Sequence, residues 1–463
     1  MIFKRYYLGC LAHASYMIIS EKAQEAVVVD PQRDTELYIL DANQLGVRIT
    51  HVFLTHFHAD FVAGHLELRD SQGATIHLGE KAMAEYEFVG MKDQSHVDIG
   101  EVRLLVLETP GHSPESISIV IYDLNKDNEH PYAVLTGDTL FIGDVGRPDL
   151  RASLGWSADQ LGGMLYDSIH HKLLRLPDDT LIYPAHGAGS LCGKKLSDET
   201  VSTIGEQKKY NYALIEMSKQ NFINIVTENQ PDAPSYFTYD AILNTKERQT
   251  LDSTMRKTLK PLNIDELLEL VDKGVQILDV REPEEYAGAH LRGSINIGLG
   301  GKFATWAGTI LDNKRPILII SNPGREQEAA VRLGRIGYDN IAGYLQDGMS
   351  ALSNRSDLIS RTQKLTAQEV CEEREFTTNS MILDVRSDSE WKSGHIENSI
   401  NIPLNHLTER VSDLPANKFL LVHCHGGYRS SIACSILEAH GIEEFADLMG
   451  GISAWESAHL PIN

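Results

Sequence analysis

Two stretches of this chain hold side chains whose types and spacing could do chemistry. The first is Thr55-His-Phe-His-Ala-Asp60, directly after an apolar run ending at Leu54. His56, His58 and Asp60 are ligand-capable groups within five residues, and imidazole with carboxylate suits zinc, iron or manganese. Three more donors follow apolar runs in Gly- or Pro-containing turns: His112 in Thr109-Pro-Gly-His-Ser113, Asp138 in Leu135-Thr-Gly-Asp-Thr139, and His186 in Tyr183-Pro-Ala-His-Gly187. Donors on loops at strand ends can converge while the sheets hold them rigid. The second stretch is Cys424-His-Gly-Gly-Tyr-Arg-Ser-Ser431, fed by the apolar run Leu420-Leu-Val-His423 and leading into a helical pattern at about Ser430. Backbone N–H groups of a Gly-containing loop, with a helix N-terminus behind them, favour an anion. Such a setting stabilises a thiolate or persulfide at Cys424, and Arg429 adds positive charge at the rim. Cys10, Cys192, Cys371 and Cys434 read as packing residues. His13, His51, His65, His77, His96, His130, His170 and His171 read as scattered surface or core residues.

The ordered set His56-x-His58-x-Asp60, His112, Asp138, His186 resembles the metallo-β-lactamase superfamily over roughly residues 1–250. The resemblance implies a sandwich of two mixed sheets with helices outside and a metal at one edge. In the binuclear hydrolases of that superfamily, such as glyoxalase II, the first motif is His-x-His-x-Asp-His. Here the last position is Phe61, whose phenyl ring cannot bind metal, so the second metal site loses a ligand. A one-metal site remains, with two imidazoles and one carboxylate from His56, His112 and Asp138. That is the facial set of non-haem Fe(II) oxygenases, and the persulfide dioxygenase branch is similar. The resemblance then makes His58, Asp60 and His186 groups that orient ligands or bound water, although in the hydrolases the counterpart of His58 binds metal. Gly143-Asp-Val-Gly-Arg-Pro-Asp149 also resembles that branch, and Arg147 and Asp149 are expected near the pocket or in a structural ion pair.

The last part of the chain resembles a rhodanese through Asp384-Val-Arg386, Gly394-His-Ile396, the Cys424 loop and Gly450-Gly-Ile-Ser-Ala-Trp455. That resemblance implies that Cys424 accepts a sulfane sulfur and passes it to a thiophilic acceptor, with Asp384 and Arg386 holding loop and sheet together. An earlier copy keeps Asp279-Val-Arg281 and Gly288-Ala-His290, but its loop reads Ile320-Ser-Asn-Pro-Gly-Arg325. Its cysteine position is filled by Ser321 or lost in a one-residue shortening, so this copy is expected to be silent in sulfur transfer. The whole chain thus resembles a bacterial persulfide dioxygenase–rhodanese fusion. The implied cofactor is one Fe(II), with zinc as the alternative. The implied partners are a low-molecular-weight thiol persulfide, O2, and sulfite or thiosulfate. Two rival readings stand beside it: a zinc thioester hydrolase of the glyoxalase II kind with an attached rhodanese, and a non-enzymatic persulfide sensor or relay.

The elements that must position these groups are legible as apolar runs. Ala26–Val29, Val47–Leu54, Val102–Leu107, Ile117–Tyr122, Ala133–Leu135 and Thr180–Tyr183 read as strands, with a helical stretch from Leu196 to about Gln220 and a turn-rich break at Gln230–Pro234. In the C-terminal half, Ile277-Leu-Asp-Val-Arg281 recurs as Ile382-Leu-Asp-Val-Arg386, and Ser294-Ile-Asn-Ile297 as Ser399-Ile-Asn-Ile402. The offset of 105 residues is too long for a solenoid unit and marks two tandem domains. Each opens with a helical segment (Ile264 to Lys273; Thr366 to Glu373) and alternates strands with helices, which predicts parallel α/β sheets. The expected fold is therefore a metallo-β-lactamase αβ/βα sandwich, α+β in class, followed by two rhodanese-like α/β domains. The boundaries fall at 1–258, 259–359 and 360–463, since 463 residues at roughly 150 per domain suggest three domains. Lys plus Arg is 42 against 65 Asp plus Glu, a net charge of −23, which disfavours nucleic acid and anionic membranes as partners. No apolar run is long enough to span a membrane. Five cysteines without a C-x-x-C pair fit a reducing cytoplasm. A homo-oligomer, dimer or tetramer, is expected.

Overall fold

Apolar runs bounded by Gly, Pro and Asp turns become strands covered on both faces, which is why they read as continuous rather than alternating. The computed structural model describes residues 1–151, 155–194, 196–228, 230, 232–372, 380–415 and 418–463. Pro231 of the expected break and Glu373 of the expected helix lie outside the described residues. The chain divides into two compact units, Met1–Thr254 with Gly334–Gly337, and Met255–Leu333 with Tyr338–Asn463.

Among the described residues, the first unit builds two six-stranded mixed sheets. One runs in the order β1 (Ile2–Leu8), β2 (His13–Ser20), β3 (Glu25–Val29), β4 (Arg48–Phe53), β5 (Thr75–Gly79) and β6 (Val89–Met91). The other runs β12 (Ser202–Thr203), β11 (Leu181–Pro184), β10 (Ala133–Gly137), β9 (Ile117–Asp123), β8 (Val102–Glu108) and β7 (His96–Ile99). Tyr16, Ile18, Val27, Val29 and Phe53 of the first sheet pack on Leu104, Val106, Ile119, Ile121 and Leu135 of the second. The alternate residues Val120, Val134 and Ile182 face outward beneath Leu165, Ile169, Phe222 and Val226, which belong to the helices Ala158–His171 and Lys219–Thr227. The continuous helix expected from Leu196 to Gln220 is instead Ile204–Tyr210 followed by the start of Lys219–Thr227. The reason is capping: the Thr203 hydroxyl accepts from Glu206 N and the Ser218 hydroxyl from Asn221 N, so each helix starts at its own side-chain cap.

The second unit repeats one topology. Its two five-stranded parallel sheets run Pro261–Leu262, Ile341–Leu345, Ile317–Ile320, Gln276–Asp279, Ile295–Asn296, and Gln363–Leu365, Phe445–Leu448, Phe419–His423, Ser380–Asp384, Ile400–Asn401. Each copy carries the same buried frame. Arg281 Nη2 lies 2.6 Å from Asp279 Oδ2, and Arg386 Nη2 2.6 Å from Asp384 Oδ2. Asn296 Nδ2 donates to the carbonyls of Asp279 and Arg281, as Asn401 Nδ2 does to those of Asp384 and Arg386.

The helix Tyr428–Ala439 is buried continuously from Ser430 to Leu437, because the middle copy covers the face its own sheet leaves open. The Ser431 hydroxyl donates to Asn296 Oδ1 (2.8 Å), Asn296 N donates to Ser435 Oγ (3.0 Å), and His290 Nε2 meets Glu438 Oε2 at 2.9 Å. Among the described residues no helix is long and apolar enough to cross a membrane.

Asn296→Ala should cost the second unit about 2–4 kcal/mol, since it leaves two carbonyls and the Ser431 hydroxyl without partners in a buried contact. Urea unfolding of the full chain, followed by hydrogen exchange, should show the loss in peptides of both copies together.

Candidate functional site

The loop after β4 and the turns after β8, β10 and β11 bring His56, His112, Asp138 and His186 to one edge of the sandwich. Nε2 of His112 lies 3.5 Å from Asp138 Oδ2, Nε2 of His56 3.8 Å from the same oxygen, and Nε2 of His186 3.6 Å from Asp138 Oδ1. These separations are close to those of donors about 2.1 Å from one shared ion, which sit about 3.0–3.4 Å apart. Three donor groups each gather within 4.8 Å: His56, His112, Asp138; His58, Asp60, His186; and Asp138, His186, Cys192.

Each ring is aimed by its other nitrogen. His112 Nδ1 donates to the carbonyl of Arg147 (3.0 Å) and His186 Nδ1 to that of Ala12 (3.3 Å), leaving the Nε2 lone pairs for the cluster. His56 Nδ1 meets the Thr55 hydroxyl at 3.0 Å, and that hydroxyl is held by Asp30 Oδ2 at 2.8 Å. Asp30 also takes the backbone N–H of Thr55 (2.7 Å) and lies 3.0 Å from His58 Nε2. Against its burial, His58 and the two Thr55 bonds hold the Asp30 carboxyl below the usual range.

Burial pushes His56 and His112 well below the ordinary imidazole value, and the Arg151 cation adds to this, so both rings are neutral donors at pH 7. Burial, then the neighbouring Asp60, pushes the Asp138 carboxyl well above its usual range. Neither Asp138 oxygen accepts an N–H or O–H hydrogen bond. A buried carboxylate left this way, ringed by neutral imidazoles, fits a divalent cation.

Phe61, fully buried, lies with its ring centroid 4.4 Å from that of His58 and 4.0 Å from that of His13. His13 therefore lines the site wall rather than being scattered, and its Nε2 meets the Asp30 carbonyl at 2.8 Å. The Arg147 and Asp149 side chains are joined to each other by two contacts of 2.8 and 2.7 Å, and Arg147 reaches the histidine cluster through its backbone.

Residues the sequence reading did not single out complete the site. Asn244, far downstream, donates from Nδ2 to the carbonyls of His58 and Phe61 (both 2.8 Å) and accepts from Ala63 N (2.8 Å). It clamps the His-x-His-x-Asp loop shut. Arg151 reaches the Phe57 carbonyl and lies 3.5 Å from Glu115. Cys192, read as inert packing, sits beside Asp138 and His186, and burial followed by Asp60 and Asp138 pushes its thiol well up. None of these carries a local motif, so only the fold could reveal them.

In the second unit Cys424 is buried, and its Sγ accepts the Gly427 N–H at 3.1 Å with the Ser430 hydroxyl 3.6 Å away. The turn Gly450–Gly451 passes so close that a Cβ on Gly451 would meet the Cys424 carbonyl at 2.4 Å, with φ at +58°. Tyr428 donates to the carbonyl of Gly298 in the middle copy (2.7 Å), and its ring fills the space where a Gly301 side chain would stand. Arg429, expected to add positive charge at the rim, is held end-on by Glu390 through two contacts of 2.7 Å, which pushes that carboxyl down to about 2.

Sheet register resolves the middle copy: Ile320 pairs with Asp279 as His423 pairs with Asp384, so Ser321 stands where Cys424 stands. Its loop N–H at Gly324 donates to the carboxylate of Glu326 (2.9 Å).

Comparison with known proteins bears on both units. A metallo-beta-lactamase superfamily model matches residues 8–186, and a rhodanese-like domain model matches 263–355 and again 366–458. The mitochondrial persulfide dioxygenase ETHE1 of Bos taurus is 30% identical over 218 residues, covering 46% of this chain and 75% of that protein. The hydroxyacylglutathione hydrolase of a Polaromonas species is 28% identical over 260 residues, covering 50% of this chain and 93% of that one. A crystal structure of a metallo-beta-lactamase from Staphylococcus aureus subsp. aureus COL is 32% identical, with a TM-score of 0.66 over 74% of this chain and 98% of its own.

Asn244→Ala should lower metal affinity about 10- to 100-fold by loosening the ligand loop. It should also cost about 2–3 kcal/mol through the unpaired carbonyls. Chelator competition and urea unfolding of the first unit check the two effects.

Proposed function

Because the chain belongs to the metallo-beta-lactamase superfamily, among the relatives of persulfide dioxygenases, and carries two rhodanese-like domains behind that one, we propose that it oxidises a low-molecular-weight thiol persulfide and moves sulfane sulfur. In this reading residues 1–258 form the dioxygenase, 259–359 a silent rhodanese-like domain, and 360–463 the sulfur carrier. The observation that carries it is the convergence of His56, His112 and Asp138, whose carboxylate takes no N–H or O–H hydrogen bond, with Phe61 packed at the position where the hydrolases have a further histidine. One Fe(II) held by those three residues supplies the O2 chemistry of a two-histidine, one-carboxylate site.

The chain's own groups do the rest. The Arg147 carbonyl and the Thr55 hydroxyl fix the His112 and His56 rings. Phe61 and His13 wall the site, their ring centroids 4.0 Å apart. The net reaction balances as persulfide plus O2 plus water giving thiol, sulfite and two protons. Cys424 thiolate takes the outer sulfur of another persulfide, whose thiolate leaves. Sulfite then attacks that sulfur, the Cys424 S–S bond breaks, and thiosulfate departs.

A second reading, a zinc thioester hydrolase, is favoured by the Polaromonas hydrolase match and opposed by Phe61.

Fe(II)-loaded protein should take up O2 on addition of glutathione persulfide, and His112→Ala should lose that uptake by at least about 100-fold. Iron-loaded protein that takes up no O2 but hydrolyses S-lactoylglutathione when holding zinc would move the hydrolase to first place. Cys424→Ser should keep O2 uptake while sulfite accumulates in place of thiosulfate; thiosulfate at the parent rate would sink the coupled scheme.

A further inference from the structure

The Cys424 loop is poor in free positive charge for a site that handles sulfur anions. Arg386 is closed on Asp384, with Nη2 at 2.6 Å from Oδ2. Lys364 lies between Asp447 (3.6 Å) and Glu284 (3.7 Å). Arg429, five residues past the thiol, gives both terminal nitrogens to Glu390. Glu390 is itself held in place, because Oε2 accepts the N–H of Ser387 (3.0 Å) and its hydroxyl (2.9 Å) in the capping box of the helix Asp388–Ser393. What points at Cys424 Sγ is the Gly427 N–H, a dipole rather than a net charge.

Sulfur donors differ in how much they need a cation. Thiolate attack on thiosulfate brings a dianion against an anion: the Cys424 S–S bond forms, the S–S bond of thiosulfate breaks, and sulfite leaves with the electron pair. Attack on a protonated persulfide brings a neutral sulfur against the same anion: the Cys424 S–S bond forms and the donor's thiolate leaves. Only the first gains much from a free guanidinium fork, which matches an oxyanion two bonds at a time.

Resting on the reading that Cys424 carries sulfane sulfur, we propose that Glu390 is a specificity-determining residue which, by occupying the Arg429 fork, biases the loop toward persulfides and against thiosulfate as sulfur donors. The carboxylate competes with any dianion for Arg429, so thiosulfate must break two charge-assisted hydrogen bonds to reach it.

The test is the full chain with Glu390→Gln, which keeps an oxygen for the Ser387 cap and removes the charge. Transfer from thiosulfate and from glutathione persulfide to cyanide would be measured in parent and variant. The KM for thiosulfate should fall roughly threefold to tenfold while that for the persulfide moves about twofold or less. The thiosulfate KM should also become more sensitive to salt, as a freed surface charge requires. Glu390→Asp, which keeps the charge, should stay near the parent donor ratio and controls for helix damage. Equal movement of both KM values, or none, with Cys424 still gaining one sulfur by mass spectrometry, would overturn the proposal alone. No sulfur gained by Cys424 of the parent from either donor would overturn the carrier reading and the proposal with it.

Discussion

The first unit turns on one buried carboxylate. Asp138 is 2% exposed, neither of its oxygens takes an N–H or O–H, and its ionisable neighbours include two imidazoles that burial keeps neutral and the Cys192 thiol that burial pushes up. Taking an anion out of water without a partner costs several kcal/mol. The fold accepts that cost and concentrates it at one point, where the donors His56, His112 and His186 approach Asp138 at 3.5 to 3.8 Å. A divalent cation there converts the deficit into binding energy, so metal affinity and folding of the sandwich edge are one free energy. The surrounding devices serve this point: the carbonyls of Arg147 and Ala12 aim two rings, Asp30 and Thr55 aim a third, and Asn244 closes the loop that carries His56 to Asp60.

The two rhodanese-like copies show how one frame supports opposite outcomes. The Asp–Arg pair and the Asn that ties it to the sheet are the same in both, down to their 2.6 Å contacts. The difference lies in what the loop N–H meets. In the last copy Gly427 N–H donates to Cys424 Sγ, whereas in the middle copy Gly324 N–H donates to the carboxylate of Glu326. The middle loop thus carries its own anion and has no thiol to load. The middle copy touches the last one at that loop, because Tyr428, at the start of the helix that follows Cys424, donates to the carbonyl of Gly298.

What the sequence made legible, and what it hid, divides along local and non-local contact. His56, His112, Asp138, His186 and Cys424 were readable because each stands just past an apolar run, three of them in Gly- or Pro-containing turns, and strands do end there. The tandem repeat was readable because its frame residues recur at a fixed offset. β1 and β2 were missed: Ile2–Leu8 mixes Lys and Arg with apolar residues on a half-covered edge strand, and neither strand shows a clean alternation. His13, Asp30, Cys192 and Asn244 were hidden for a different reason. Their roles exist only through partners in other elements, so no window of sequence around any of them points to the site. Arg429 was legible as a cation, but its capture by Glu390 was not, since the two stand on helices of different strand crossovers.

Charge gives a reason for housing the proposed activities in one chain. At −23 the molecule repels the persulfides, sulfite and thiosulfate it is proposed to handle. Each site therefore works by local fields: an unmet cation position at Asp138, and oriented N–H groups at Cys424. Free sulfite approaching another such chain meets that repulsion on arrival. In the proposed scheme the same repulsion, together with the occupied Arg429 fork, disfavours bulk thiosulfate as a donor to Cys424.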